Sequence, residues 1–127
     1  MPSVLIVDDD PVIQLLLRVN FEMDGFEVRT ADDGEQGLQM ARAAVPNLVL
    51  LDVVMPKLDG YQVLAELRAD ESTKHVPVVL LSAKSDDADR QAGLEAGADA
   101  YVTKPFDPTK LLAEVKAFVH EDSAPDA

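Results

Sequence analysis

Four apolar runs in this chain lack polar alternation, and each ends on a polar residue. Val4-Leu5-Ile6-Val7 runs into Asp8-Asp9-Asp10, and Leu48-Val49-Leu50-Leu51 stops at Asp52. Val78-Val79-Leu80-Leu81 stops at Ser82, and Tyr101-Val102-Thr103 stops at Lys104-Pro105. A strand with one wet face alternates apolar and polar side chains. A run without alternation suits burial on both faces, the condition of a parallel sheet covered by helices. Such sheets bind ligands at the carboxyl ends of their strands. With the four runs as parallel neighbours, one pocket collects three acids, a hydroxyl and a lysine. That set points to a cation site beside a carboxylate that accepts phosphate.

Between the strands the pattern changes to a helical one. Pro11 stands at a first helical position with Asp10 as its cap, followed by Val12, Ile13, Leu16, Leu17 and Val19, and Asp24-Gly25 supplies a stop. A short second strand is expected over Glu27 to Ala31, and Asp32-Asp33 caps a second helix through about Ala44, which Pro46 prevents from continuing. Met55 to Gly60 reads as a loop, and a third helix carries Val63, Leu64 and Leu67. A fourth helix is expected near Asp86 to Ala96, closed by Gly97; a fifth strand reaches Lys104, and Asp107-Pro108 opens a last helix through Val119. Five strand–helix units predict a doubly wound α/β domain with a five-stranded parallel sheet and helices on both faces. The flavodoxin-like strand order 2-1-3-4-5 is adopted from known folds of this size, and it would bring Asp8, Asp9 and Asp52 together at the switch point.

With 127 residues the chain suits one domain, read as residues 1–120, followed by an acidic tail over 121–127 that is expected to fray. No apolar stretch nears the roughly 20 residues that span a bilayer. The absence of cysteine rules out disulfides and thiolate metal sites and is compatible with a cytoplasmic location. The formal net charge is −13, from 24 acids and 11 bases, and a surface of that sign repels nucleic acid and anionic membranes. The expectation is therefore no direct nucleic-acid partner and no membrane.

Three converging carboxylates repel one another, and a divalent cation relieves the cost. Oxygen-only donors suit a hard ion such as Mg²⁺. One acid is then free to attack phosphorus and form an acyl phosphate, a reaction that needs mainly positioning and charge neutralisation. Lys104 adds a second positive charge and Ser82 a hydroxyl donor. Taken singly, Asp8-Asp9-Asp10 is equally a helix-capping cluster, Asp52 a strand-end loop acid and Lys104-Pro105 an ordinary turn. Their joint placement at the ends of four strands carries the phosphoryl-transfer reading.

Over about residues 3 to 119 the sequence closely resembles the receiver domain of two-component response regulators, of the stand-alone, chemotaxis-regulator type. The matching segments are Leu5-Ile6-Val7-Asp8-Asp9, Leu51-Asp52-Val53-Val54-Met55-Pro56, Asp59-Gly60, Leu81-Ser82-Ala83 and Gly97 through Phe106. The resemblance implies that Asp52 takes a phosphoryl group from a sensor histidine kinase or phosphotransfer protein. It implies that Asp8 and Asp9 hold Mg²⁺ with Asp52 and the carbonyl of Val54, and that Lys104 contacts the phosphate. Ser82 and Tyr101 match the paired switch residues, and the Lys104-Pro105 bond matches one that is cis in such domains. By this resemblance the protein is a signalling switch rather than an enzyme, apart from phosphotransfer and self-dephosphorylation at Asp52.

Receivers of the winged-helix transcription-factor branch tend to read Asp-Asp-Tyr before the lysine motif, with an acid and then an arginine along the last helix. Ala100, Lys110 and Glu114 stand at those positions here, so the expected output is contact with a downstream protein target. Two alternatives remain: a receiver fragment of a longer regulator, and an aspartate-nucleophile phosphatase. The second would place another Asp two residues after the nucleophile, where this chain has Val54. A nucleotide or flavin binder would want glycines in the first turn, where Asp8-Asp9-Asp10-Pro11 stands.

Overall fold

The computed structural model describes residues 1–55, 57–84 and 86–119. Strands and helices alternate: β1 (Ser3–Val7), α1 (Pro11–Met23), β2 (Glu27–Ala31), α2 (Gly34–Ala43), β3 (Leu48–Asp52), α3 (Gly60–Ala69), β4 (Val78–Ser82), α4 (Asp87–Glu95), β5 (Ala100–Thr103) and α5 (Pro108–Val115). All neighbouring strands pair in parallel, in the order β2-β1-β3-β4-β5. This is the doubly wound, flavodoxin-like arrangement expected from the sequence. None of the described helices is long and apolar enough to cross a membrane.

Each helix starts on an aspartate: Asp10, Asp33, Asp59, Asp86 and Asp107 all accept a hydrogen bond from a backbone N–H of the first turn. An acid there satisfies an orphan donor and favours the positive end of the helix dipole. Part of the chain's acidity is thus helix capping. Asp59 adds the reciprocal bond from its own N–H to the Gln62 side chain. Gly25 ends the α1 turn with φ +91°, a conformation open to glycine at no steric cost.

Alternate strand residues feed two clusters. Val4, Ile6, Leu48, Leu50, Val79 and Leu81 face Leu17 and Phe21 of α1 and Leu111 and Val115 of α5. Leu5, Val7, Val49, Leu51, Val78 and Leu80 face Leu38 of α2 and Val63, Leu64 and Leu67 of α3. Both faces are covered, which is why the runs need no alternation.

The sequence reading and the structure part company in three places. Val12, Leu16 and Val19 are exposed although they belong to the apolar set of α1, because α1 is apolar around most of its circumference and only one stripe meets the sheet. The last helix is α-helical only to Val115 and tightens into a 3₁₀ turn over Lys116–Phe118, a common way to end a helix. Gly60, read as loop, is the first residue of α3. The expected acidic tail lies outside the described residues.

Candidate functional site

Parallel register brings the polar strand ends to one edge of the sheet. Val7 pairs with Leu51, Asp52 with Leu81 and Ser82 with Thr103. The ladder runs on one step further: Asp8 N–H donates to the Ala31 carbonyl at 3.1 Å, and Lys104 N–H donates to the Ser82 carbonyl at 2.7 Å. Asp8, Asp52, Ser82 and Lys104 therefore leave the sheet at the same end.

Asp8 is fully buried. One of its oxygens accepts the Asp10 N–H at 2.9 Å, and the other accepts the Lys104 amine at 3.1 Å. The same amine lies 3.3 Å from Asp52 Oδ1, which also receives the Val54 N–H at 3.4 Å. Asp9 is exposed, yet carboxylate oxygens of Asp8, Asp9 and Asp52 all lie within 4.8 Å of one another. The Lys104–Pro105 bond is cis.

Buried Asp8 and Asp52 share one ammonium, and exposed Asp9 brings a third carboxylate beside them, so negative charge is in excess. Asp52 registers this directly. Burial first, and then the charge of Asp8, push its carboxyl from 3.8 up to about 6, against the opposing pull of Lys104. Burial works to lower the Lys104 amine, but its bond to Asp8 and the charges of Asp8 and Asp52 prevail and hold it above 10.5. An excess of buried negative charge presented by oxygen donors alone is what a hard divalent cation would neutralise, so Asp8, Asp9 and Asp52 fit Mg²⁺.

Gly60 fixes the strand end that bears Asp52. Its N–H donates to the Val53 carbonyl at 2.8 Å, and a Cβ at this position would stand 2.5 Å from the Asp52 carbonyl oxygen. Any side chain here would push on the segment holding the buried acid. Val54 sits at the rim, 64% exposed.

Ser82 and Tyr101 are both buried, and both grip the loop after β4. Ser82 Oγ accepts the Lys84 N–H at 3.0 Å, and the Tyr101 hydroxyl donates to the Lys84 carbonyl at 2.9 Å. The Tyr101 ring lies inward against Gly93, where a Cβ would be 2.7 Å from it. The Arg90 guanidinium stands 5.7 Å above that ring and donates to the Tyr101 carbonyl at 2.9 Å. Thus Asp8, Asp9, Asp52 and Lys104 form one cluster, Val54 borders it, and Ser82 and Tyr101 meet at Lys84.

Sequence reasoning passed over Arg90, Gly93 and Gln14. Gly93 leaves a faint signal, a glycine within a helical segment. Gln14 leaves another, a polar residue inside the apolar run of α1. Arg90 has no local signature.

Residues 4–116 match the family described as the response regulator receiver domain. The chain belongs to that family. Among solved structures, the chemotaxis response regulator CheY4 of Vibrio cholerae superposes with a TM-score of 0.89 at 30% identity, over 94% of this chain and 99% of that one. The DNA-binding dual master transcriptional regulator RpaA of Synechocystis is 44% identical over 128 residues, covering all of this chain but 53% of the relative. PhoP of Bacillus subtilis, the alkaline phosphatase synthesis transcriptional regulatory protein, is 44% identical over 127 residues, covering 98% of this chain and 52% of its own length. The receiver chain thus spans about half the length of these curated relatives.

These relatives overturn one expectation. The exclusion of a nucleic-acid partner does not stand, since a relative matching the whole chain is a DNA-binding regulator. The physical error lies in what net charge describes. A charge of −13 constrains what this domain's own surface touches, and says nothing about contacts made elsewhere in a protein that contains such a domain.

Proposed function

We propose that this receiver domain is a phosphorylation-controlled switch in which Asp52 accepts a phosphoryl group from a phosphohistidine on a sensor kinase or phosphotransfer protein. The observation that carries the reading is the pairing of buried Asp52 with buried Asp8 under one shared lysine, at 3.3 and 3.1 Å. In the transfer an Asp52 carboxylate oxygen attacks phosphorus, the O–P bond forms, and the P–N bond to the donor imidazole breaks. The leaving nitrogen keeps the electron pair and regains a proton.

Asp8 and Asp9, with the remaining oxygen of Asp52 and the carbonyl of Val54, would hold Mg²⁺, which supplies charge neutralisation to the incoming phosphoryl oxygens. Lys104 leaves its contact with Asp52 and pairs with the phosphoryl group. Ser82, on the neighbouring strand, gives up the Lys84 N–H and turns its hydroxyl to a phosphoryl oxygen. Freed from its anchor through Lys84, Tyr101 transmits the change to α4. The chain acts as a switch rather than a turnover enzyme, and it works in the cytoplasm, where nucleotide charges such kinases. By likeness to RpaA and PhoP, the output controlled is transcription through DNA binding.

The test is intact-mass spectrometry after incubation with acetyl phosphate and Mg²⁺. One phosphate should add to the wild type and none to Asp52→Asn or to the chelated protein. Equal addition to Asp52→Asn would refute the assignment.

A further inference from the structure

The sheet ladder holds only one side of Asp8. Its N–H is tied to the Ala31 carbonyl at 3.1 Å, while its carbonyl accepts the Gln14 side-chain amide at 2.5 Å. The same amide nitrogen lies 2.9 Å from Asp32 Oδ1 and 3.3 Å from the Ala31 carbonyl. Asp32 is held in turn by its own N–H, which donates to Gln36 Oε1 at 2.7 Å. Gln14 therefore joins the end of β1, the end of β2 and the start of α2 through one nitrogen.

Consecutive residues of an extended chain point to opposite sides, so Asp8 and Asp9 can face one ion only because the chain turns between them and Asp10. The turn pivots on the Asp8–Asp9 peptide, and Gln14 fixes the oxygen of that peptide. We propose that Gln14 is a positioning residue for the acid cluster. By donating to the Asp8 carbonyl and the Asp32 carboxylate, it sets the angle at which Asp8 and Asp9 share a divalent cation with Asp52. This rests on the reading of the cluster given under Proposed function.

The chemistry of the contacts yields a discriminating test. All three partners of the Gln14 nitrogen are oxygens, so the position needs a donor. Lysine donates and can replace it. Glutamate, of nearly the same shape, sets oxygen against oxygen, and leucine offers nothing. Long-range charge alone predicts the reverse order, since an added anion near the cluster strengthens cation binding and an added cation weakens it.

Mg²⁺ affinity is to be measured by isothermal titration on the full chain, with amide NMR shifts of Asp8 to Asp10 recorded without metal and melting temperatures as a folding control. Gln14→Glu and Gln14→Leu should bind Mg²⁺ about 10-fold more weakly or worse, the range seen when a group supporting a metal ligand is lost. Their Asp8–Asp10 amides should shift, while Gln14→Lys should stay within about threefold of wild type. A Gln14→Glu that binds as tightly as wild type or tighter overturns the inference alone. A wild type that binds no Mg²⁺ overturns the underlying reading and the inference with it. Should Gln14→Glu fail to fold, Gln14→Leu against Gln14→Lys carries the comparison, and equal affinities there also overturn it.

Discussion

Asp52→Asn exchanges a carboxylate for an amide of the same shape at a site only 6% exposed, beside Asp8 and under Lys104. The Asp52 carboxyl is raised from 3.8 to about 6 by burial and by Asp8, which corresponds to about 3 kcal/mol between its two protonation states. The sign follows from proton binding. Below 3.8 the folded and unfolded chains are both protonated there, and the group exerts no penalty. Between 3.8 and about 6 the folded state holds the proton more tightly, so stability from this group falls as pH rises. Above that window both states are ionised and the fold bears the full penalty.

The amide carries no such charge, and the roughly 3 kcal/mol is already net of the Lys104 attraction. In chelator at about pH 8, Asp52→Asn should therefore exceed wild type in stability by about 3 kcal/mol, and by much less near pH 4.5. Urea unfolding followed by far-UV circular dichroism at both pH values measures it. A separation that stays constant with pH, or a wild type that is the more stable at pH 8 without metal, refutes the reasoning.

Saturating Mg²⁺ should raise the wild-type melting temperature, with a gain of about 2.7 kcal/mol at 100 times the dissociation constant. Asp9→Ala should lose most of that response, as differential scanning calorimetry would show. Val54, 64% exposed, and Lys84 stand at the rim and on the adjoining loop, and neither offers an acid or amide to orient an attacking water. The phosphorylated protein should thus decay slowly, and Val54→Asn with Lys84→Glu should hasten the decay followed by mass spectrometry. An unchanged rate sinks that idea. Gly60→Ala puts a methyl group 2.5 Å from the Asp52 carbonyl and should destabilise the fold by about 1–3 kcal/mol in urea titration.

What was legible in the sequence was whatever depends on local pattern. The unalternating runs gave four strands, and aspartates with Pro11 and Pro108 marked helix starts, because capping uses only neighbouring backbone. Asp8, Asp9, Asp52 and Lys104 were recoverable because parallel strands align their ends, so position within a run fixes position in space. The contacts that orient them were not. Gln14 meets Asp32 and Ala31 across 18 and 17 residues, and Arg90 reaches Tyr101 across 11, at spacings set by crossover lengths rather than by any repeat. The exposed apolar residues of α1 misled for a related reason. Periodicity marks a helix, but only the sheet decides which stripe it covers.

The sheet divides the interior into two side-chain clusters that have no residue in common. Truncations such as Leu17→Ala on one side and Leu64→Ala on the other share no packing partner, so their effects on stability should sum. Each layer can drift or be redesigned at constant volume while the other keeps its own repertoire of side chains. The acid edge has no such freedom. Asp8 continues the strand parity of Ile6, and Ser82 that of Leu80, so the pocket draws on both layers at once. A molecule built this way can vary its two interiors separately, provided that every accepted change leaves the carboxyl ends of β1, β3 and β4 level with one another.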